Sequence, residues 1–206
     1  MSASLRQDDP QRRITGGNQS ATRFDIAGPL LVSSRRFGDH RGFFLETYSA
    51  RDFAALGIPD VFVQDNHSLS AEAGTVRGMH FQLAPHAQAK LVRVLRGAIL
   101  DIAVDIRRSS PTYGRHVAVE LSAANGHQLY VPVGFAHGFC TLERDTVISY
   151  KVTGSYYSAE CDKGVAWDDP AIGIEWPDVT DPSTLSAKDG KQPLLVELPS
   201  YFQYQD

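Results

Sequence analysis

The chain has 206 residues, of which 42% are hydrophobic and 21% charged, with a formal net charge of −4; that is enough for one full-sized core and too little for two. Its basic residues are dispersed, with no cluster beyond Arg35-Arg36 or Arg107-Arg108, which argues against nucleic acid as a partner. No apolar run approaches a membrane span. Cys140 and Cys161 lack CxxC spacing and the amino end shows no apolar signal region, so free thiols in a cytoplasmic protein are expected.

Residues 1–23 are polar, rich in Ser, Gln, Gly and charge, and without periodicity; they read as a disordered leader ahead of a single domain over 24–206. Then come β-rich stretches in order: LLVSS, FFLETY, VFVQDNHS, TVRGMHFQ, KLVRVLRGAILDIAVDI, HVAVELS, HQLYVP, AHGFCTLE and TVISYKVTG. Turn signals such as Arg96-Gly97, Asn125-Gly126 and Asp169-Pro170 separate them. Strands at this spacing predict an all-β jelly roll or barrel. One helix is predicted over 50–56, with Ser49 as its amino cap, Asp52 completing a capping box and Gly57 as its stop. A second, short helix is predicted after Asp181-Pro182-Ser183.

The faces of these strands carry the chemistry. Residues of like parity share a face, so His80 and Gln82 lie with Gly78, and Met79 and Phe81 lie on the other side. Lys90 shares its face with Val92 and Val94, and Tyr150 with Ile148 and Val152. Taken singly, these are a half-exposed strand histidine, a snorkelling lysine and a core tyrosine. Together they are the expected lining of a barrel that holds a ligand.

The segment from Gly126 through Pro132, Gly134 and His137 to Thr141 resembles the second motif of the cupins, except that Thr141 stands where an asparagine closes that motif. In the first cupin motif the glutamate position is taken by Lys90, with six residues between it and Gly97. His86 can fill one histidine position, but Ala84 fills the other. An ammonium has no lone pair for a cation, so no metal is expected, His137 is left free for hydrogen bonding, and His86 reads as a loop histidine.

The series FGDHRGFFLETY, FVQDNHS, VRGMHFQ, KLVRVLRGAILDIAVDIRRSSPTYG, LSAANGHQLYVPVGFAHGF, ISYKVTGSYYS, WDDPAIGIEWP and LSAKD spans residues 37–189 in unbroken order. It resembles the dTDP-4-dehydrorhamnose 3,5-epimerase family. The resemblance implies a cupin jelly-roll barrel with a few short helices near its ends and a carboxy-terminal extension. It also implies inversion at C3 and C5 of a nucleotide-linked 4-keto-6-deoxy sugar through enolates, with no cofactor or metal.

Position by position, the resemblance makes His80 the base and Asp189 the carboxylate that orients its ring and stabilises the imidazolium. Tyr150 matches the acid on the opposite face, and Lys90 a cation near the C4 oxygen, where negative charge develops. His137 and Arg77 would line the same pocket, with Arg77 on the pyrophosphate. Gln64, Asp65 and Asn66 fall on the nucleotide-contacting segment. Lys188 matches a substrate-contacting lysine, and Asp162 stands where many relatives carry a glutamate. Family members are homodimers whose amino-terminal strands cross over, which would bring Phe37, Arg41 and Glu46 to the partner's site.

Three other readings remain open from the residues. A 3-only or 5-only epimerase needs the same residue set with a small shift of Tyr150. A non-catalytic sugar-nucleotide binding module needs only the barrel. A metal-dependent cupin oxygenase would need a metal despite Lys90.

Overall fold

Each β-rich stretch forms a strand in the computed structural model, which describes residues 12–205. Seven strands make one sheet: β1 (Arg13–Gly16), β2 (Gln19–Arg23), β3 (Leu30–Ser34), β12 (Gln128–Val131), β8 (Lys90–Arg96), β14 (Thr146–Thr153) and β6 (Phe62–Ser70), in that spatial order. Five make the other: β11 (His116–Ser122), β9 (Ala98–Asp105), β13 (Phe135–Thr141), β7 (Val76–Gln82) and β15 (Asp162–Gly164). Every pairing within these two sheets is antiparallel. The hairpin of β4 (Arg36–Asp39) and β5 (Gly42–Leu45) stands apart, and β10 (Arg107–Arg108) pairs in parallel with β16 (Phe202–Gln203). Among the described residues no helix is long and apolar enough to cross a membrane.

The jelly-roll sheets bury three apolar layers, because both faces of each sheet are covered. Between the sheets, Val92, Val94, Ile99, Ala103, Leu129, Phe139 and Ile148 interdigitate. Outside the five-stranded sheet, Met79, Phe81, Ile102 and Val104 meet Ile172, Leu195 and Leu198 of the carboxy-terminal segment. Outside the seven-stranded sheet, Val32, Leu91 and Tyr130 meet Phe53 and Leu56 from the helical segment. This double coverage explains the nearly unbroken apolar run of β9, AILDIAVD, in place of an alternating one. Full burial of a side chain such as Phe53 or Met79 contributes about 2–3 kcal/mol.

Two expectations are corrected. Residues 13–23, expected to belong to a disordered leader, form β1 and β2 and extend the seven-stranded sheet; residues 1–11 lie outside the described part. The missed signal is Gly17-Asn18, a two-residue hairpin loop in which Gly17 takes φ +57°. The second correction concerns the helix, α1 (Ala50–Ala55). Ser49 occupies its amino cap, but the Ser49 side chain makes no capping bond and no capping box forms. The Asp52 carboxylate accepts instead from Arg51 Nε at 2.8 Å and from the Asn18 backbone N–H, tying the helix to the β1–β2 turn. The short helix after Asp181 is a 3-10 turn, Pro182–Thr184, capped by Asp181 Oδ1 accepting from Ser183 N at 2.9 Å.

Candidate active site

Strand β7 carries the histidine and is shaped by a bulge. His80 pairs with His137 and Arg77 with Phe139, so Gly78 and Met79 together oppose the single residue Gly138. The extra residue resets the alternation, and Arg77 and His80 therefore line one cavity although their parity places them on opposite faces. Only glycine fits the crossing. A Cβ on Gly78, whose φ is +128°, would lie 2.5 Å from the Gly138 Cα, and one on Gly138 would lie 2.5 Å from Met79 Sδ.

The cavity between the sheets holds about 320 Å³ and opens into a second of about 430 Å³, with His80, Lys90, Tyr150 and Asp162 lining both. Their combined size suits a ligand larger than a single sugar. The first cavity contains Arg77, His137, Lys188 and Asp189 as well. The second contains Gln64, Asn66 and Gln82.

His80 Nε2 lies 2.6 Å from Asp189 Oδ1. Because a carboxylate only accepts, this nitrogen carries the proton and Nδ1 keeps its lone pair. Asp189 is 5% exposed and starts a 3-10 turn, with its own N–H donating to Ser186 Oγ at 3.1 Å. Burial pushes its carboxyl up, but the His80 hydrogen bond, the His80 charge, Ser186 and the Gly78 N–H outweigh it and hold the group below the ordinary aspartate range. A fixed carboxylate thus backs the imidazole.

Across the cavity, Lys90 Nζ sits 3.5 Å from the His80 carbonyl oxygen. Burial pulls its ammonium down to about 8, with Lys188 acting in the same direction and the Asp101 and Asp162 charges opposing. Burial likewise raises the Tyr150 phenol, against the Arg77 charge and with that of Asp162. Tyr150 is therefore a neutral donor at neutral pH.

His137 Nε2 lies 2.7 Å from Asp101 Oδ1, and Asp101 is fully buried. Burial, followed by the opposing pull of Asp101 and the push of Lys90 and His80, leaves this imidazole below its ordinary value and neutral. Arg77 is anchored by Nε to Ser70 Oγ at 3.2 Å and by Nη2 to the Leu69 carbonyl at 3.3 Å. Lys188 is paired with Asp162, whose Oδ2 accepts from Tyr157 Oη at 3.0 Å. Gln82 Oε1 accepts from Ser158 N at 3.1 Å, fixing the segment that carries Tyr157.

Not every expected residue joins. Asp65 lies on the other face of β6 from Gln64 and Asn66, where it accepts from Lys151 Nζ at 2.8 Å; alternation along the strand decides this. Phe37, Arg41 and Glu46 do not line either cavity of this chain. Phe37 and Arg41 belong to the exposed β4–β5 hairpin, with Arg41 paired to Asp39, while Glu46 accepts from Gln19 Nε2 at 3.3 Å. His86 is a loop residue whose Nδ1 contacts Ser155 Oγ. Among the described residues no group of three or more His, Cys, Asp or Glu side chains is placed to hold a metal ion. The sequence reading missed Ser186 and Tyr157, which line the cavities, and Asp101, an acid at an interior position of β9 behind His137.

Residues 23–197 match the family model described as dTDP-4-dehydrorhamnose 3,5-epimerase. The chain belongs to that family. A curated dTDP-4-dehydrorhamnose 3,5-epimerase of Sinorhizobium fredii is 60% identical over 180 residues, covering 87% of this chain and 91% of the relative. Among solved structures, the Bacillus anthracis dTDP-4-dehydrorhamnose 3,5-epimerase with TDP and pyrophosphate bound is 50% identical, with a TM-score of 0.81 over 85% of this chain and 99% of that one. A Legionella pneumophila dTDP-6-deoxy-D-glucose 3,5-epimerase in complex with dTDP-4-keto-L-rhamnose is 39% identical, with a TM-score of 0.84 over 91% and 100%. The family's fold and the arrangement of two jelly-roll sheets agree with the architecture above.

Proposed function

We propose that this epimerase inverts C3 and C5 of dTDP-4-keto-6-deoxy-D-glucose to give dTDP-4-keto-L-rhamnose, using side chains alone and no cofactor. The observation that carries the reading is one cavity with a carboxylate-backed histidine on one wall and a lysine and a neutral tyrosine on the other. The C4 ketone acidifies the neighbouring C–H bonds. His80 Nδ1 removes a proton, Asp189 stabilises the imidazolium that forms, and the electron pair moves onto the C4 oxygen. The buried Lys90 ammonium stabilises that enolate. Tyr150 then delivers a proton to the opposite face, and solvent restores both groups before the second carbon reacts. Arg77 and Lys188 face the diphosphate, while Gln64 and Asn66 reach the nucleoside end; His137 and Asp162 frame the sugar.

The same reading places the protein in the cytoplasm as a homodimer with exchanged amino-terminal strands. Its unpaired cysteines agree with a reducing compartment. The exposed aromatic residues of the β4–β5 hairpin, Phe37, Phe43 and Phe44, together with Val63 and Leu69 on edge strand β6, provide apolar surface for a second copy. In that dimer Phe37, Arg41 and Glu46 complete the partner's site.

The test is deuterium uptake from solvent into dTDP-4-keto-6-deoxy-D-glucose, followed by NMR with the chelator-treated protein. Uptake at both C3 and C5 with inversion is expected. Uptake at one carbon identifies a narrower epimerase, and tight binding without uptake a non-catalytic module.

A further inference from the structure

Asp101 is an acid in the wrong company. On β9 it shares its face with Ile99 and Ala103, which belong to the apolar layer between the sheets, alongside Val92 and Val94 of the strand that carries Lys90. Its side chain is fully buried. Oδ1 is held by His137, and Oδ2 has no hydrogen-bond partner. A buried carboxylate left half-satisfied is costly unless a charge nearby compensates it.

The groups around Lys90 identify that charge. From β7 it faces His80, from β13 His137, from β14 Tyr150, and from β15 Asp162. The carboxy-terminal segment adds Lys188 and Asp189. Asp189 is engaged by His80 and Asp162 by Lys188. His137 and Tyr150 are neutral. Of the three carboxylates, only Asp101 has a buried oxygen without a hydrogen-bond partner; of the cavity's cations, Lys90 and Arg77 have no carboxylate within ion-pair distance, and Arg77 is turned toward Ser70 and Leu69.

We propose that Asp101 is a positioning residue for the epimerisation: its buried carboxylate, aligned by His137, is the counter-charge that keeps the Lys90 ammonium protonated and aimed into the cavity. The inference rests on the role given to Lys90 in the proposed function. Of the charges acting on Lys90, that of Asp101 is the largest one opposing the burial that would neutralise it. His137 holds the carboxylate without cancelling it, which a charged partner could not do.

The experiment compares Asp101→Asn with the unaltered protein, reading turnover and solvent deuterium uptake between pH 6 and 9. The amide still accepts from His137 but carries no charge. Loss of a nearby anion lowers the lysine's pKa by about one unit or more. The ratio of variant to unaltered activity is therefore expected to stand near one at pH 6 and to fall about fivefold or more by pH 8. A ratio that is the same at every pH shows a structural role only and overturns the proposal. If the unaltered protein exchanges no proton at all, the proposed function fails instead. Lysine ¹³Cε NMR, with Lys90→Met for assignment, gives a second measure. A Lys90 already neutral at pH 7.5 in the unaltered protein overturns the proposal even where Asp101→Asn does not fold; a protonated one supports it.

Discussion

On the five-stranded wall of the cavity, His80 and His137 each present Nε2 to a buried carboxylate, Asp189 or Asp101. On the seven-stranded wall, Lys90 and Tyr150 stand among Val92, Ile148 and Val152, without an acidic partner at hydrogen-bond distance. The first wall fixes each ring's tautomer and direction by pairing. The second sets protonation by desolvation, which shifts an ammonium down and a phenol up. Stepwise proton removal and return use both kinds: a base whose lone pair is aimed, a cation beside the developing charge, and a phenol that keeps its proton until the carbanion takes it.

Removing the paired base should have the largest effect. His80→Ala is expected to lower turnover by about 1,000-fold or more, with deuterium uptake lost at both carbons and the melting temperature little changed; near-normal uptake would assign the base elsewhere. Next comes the lone cation. Lys90→Met keeps the stem and deletes the charge, and should lower kcat by about 100–1,000-fold with a smaller change in KM. Tyr150→Phe separates the walls. Inversion should fall by about 100-fold while His80 still exchanges the substrate proton with solvent, so that uptake outruns epimerisation; equal loss of both would place Tyr150 on the proton-removal side.

The pH profile sharpens the contrast further. Lys90 is charged below about 8 and neutral above, so kcat/KM should decline as pH rises through that value, approaching tenfold per unit beyond it. A profile flat to pH 10 would contradict the desolvated-lysine wall. The smallest effect concerns the frame. Gly78→Ala forces a Cβ against Gly138 at φ +128° and should destabilise the protein by about 2–3 kcal/mol, read as a lower melting temperature.

Much of this could be read along the chain. Alternation alone placed His80 with Gln82, Lys90 with Val92, and Tyr150 with Ile148, because the pairing of β14 with β8 is regular from Ile148 to Val152. Alternation does not account for Arg77, which the family resemblance placed in the pocket, because the bulge at Gly78 shifts the residue before it to the other face. The same alternation, applied to Gln64, Asp65 and Asn66, would have turned Asp65 away from the cavity. Asp101 was hidden by its strand: in AILDIAVD both faces are buried, so no polar stripe singles out the acid, and its partner His137 lies 36 residues on. The hairpin of β1 and β2 was obscured by polar composition, although Gly17-Asn18 carried its turn. The ring of Phe37, the guanidinium of Arg41 and the carboxylate of Glu46 belong to a question about a second copy, which periodicity does not address.

Asp189 follows His80 by 109 residues. During synthesis at about 5–20 residues per second, the histidine waits roughly 5–20 s for the carboxylate that backs it. Strands β8, β9, β13 and β14 are all made in that interval, so both cavity walls are synthesised before the carboxylate that His80 pairs with. A chain that stops short of residue 189 would lack that carboxylate and also Leu195 and Leu198, which cover the outer face of the five-stranded sheet. The order of translation thereby makes the His80–Asp189 pair one of the later contacts of the cavity to become available.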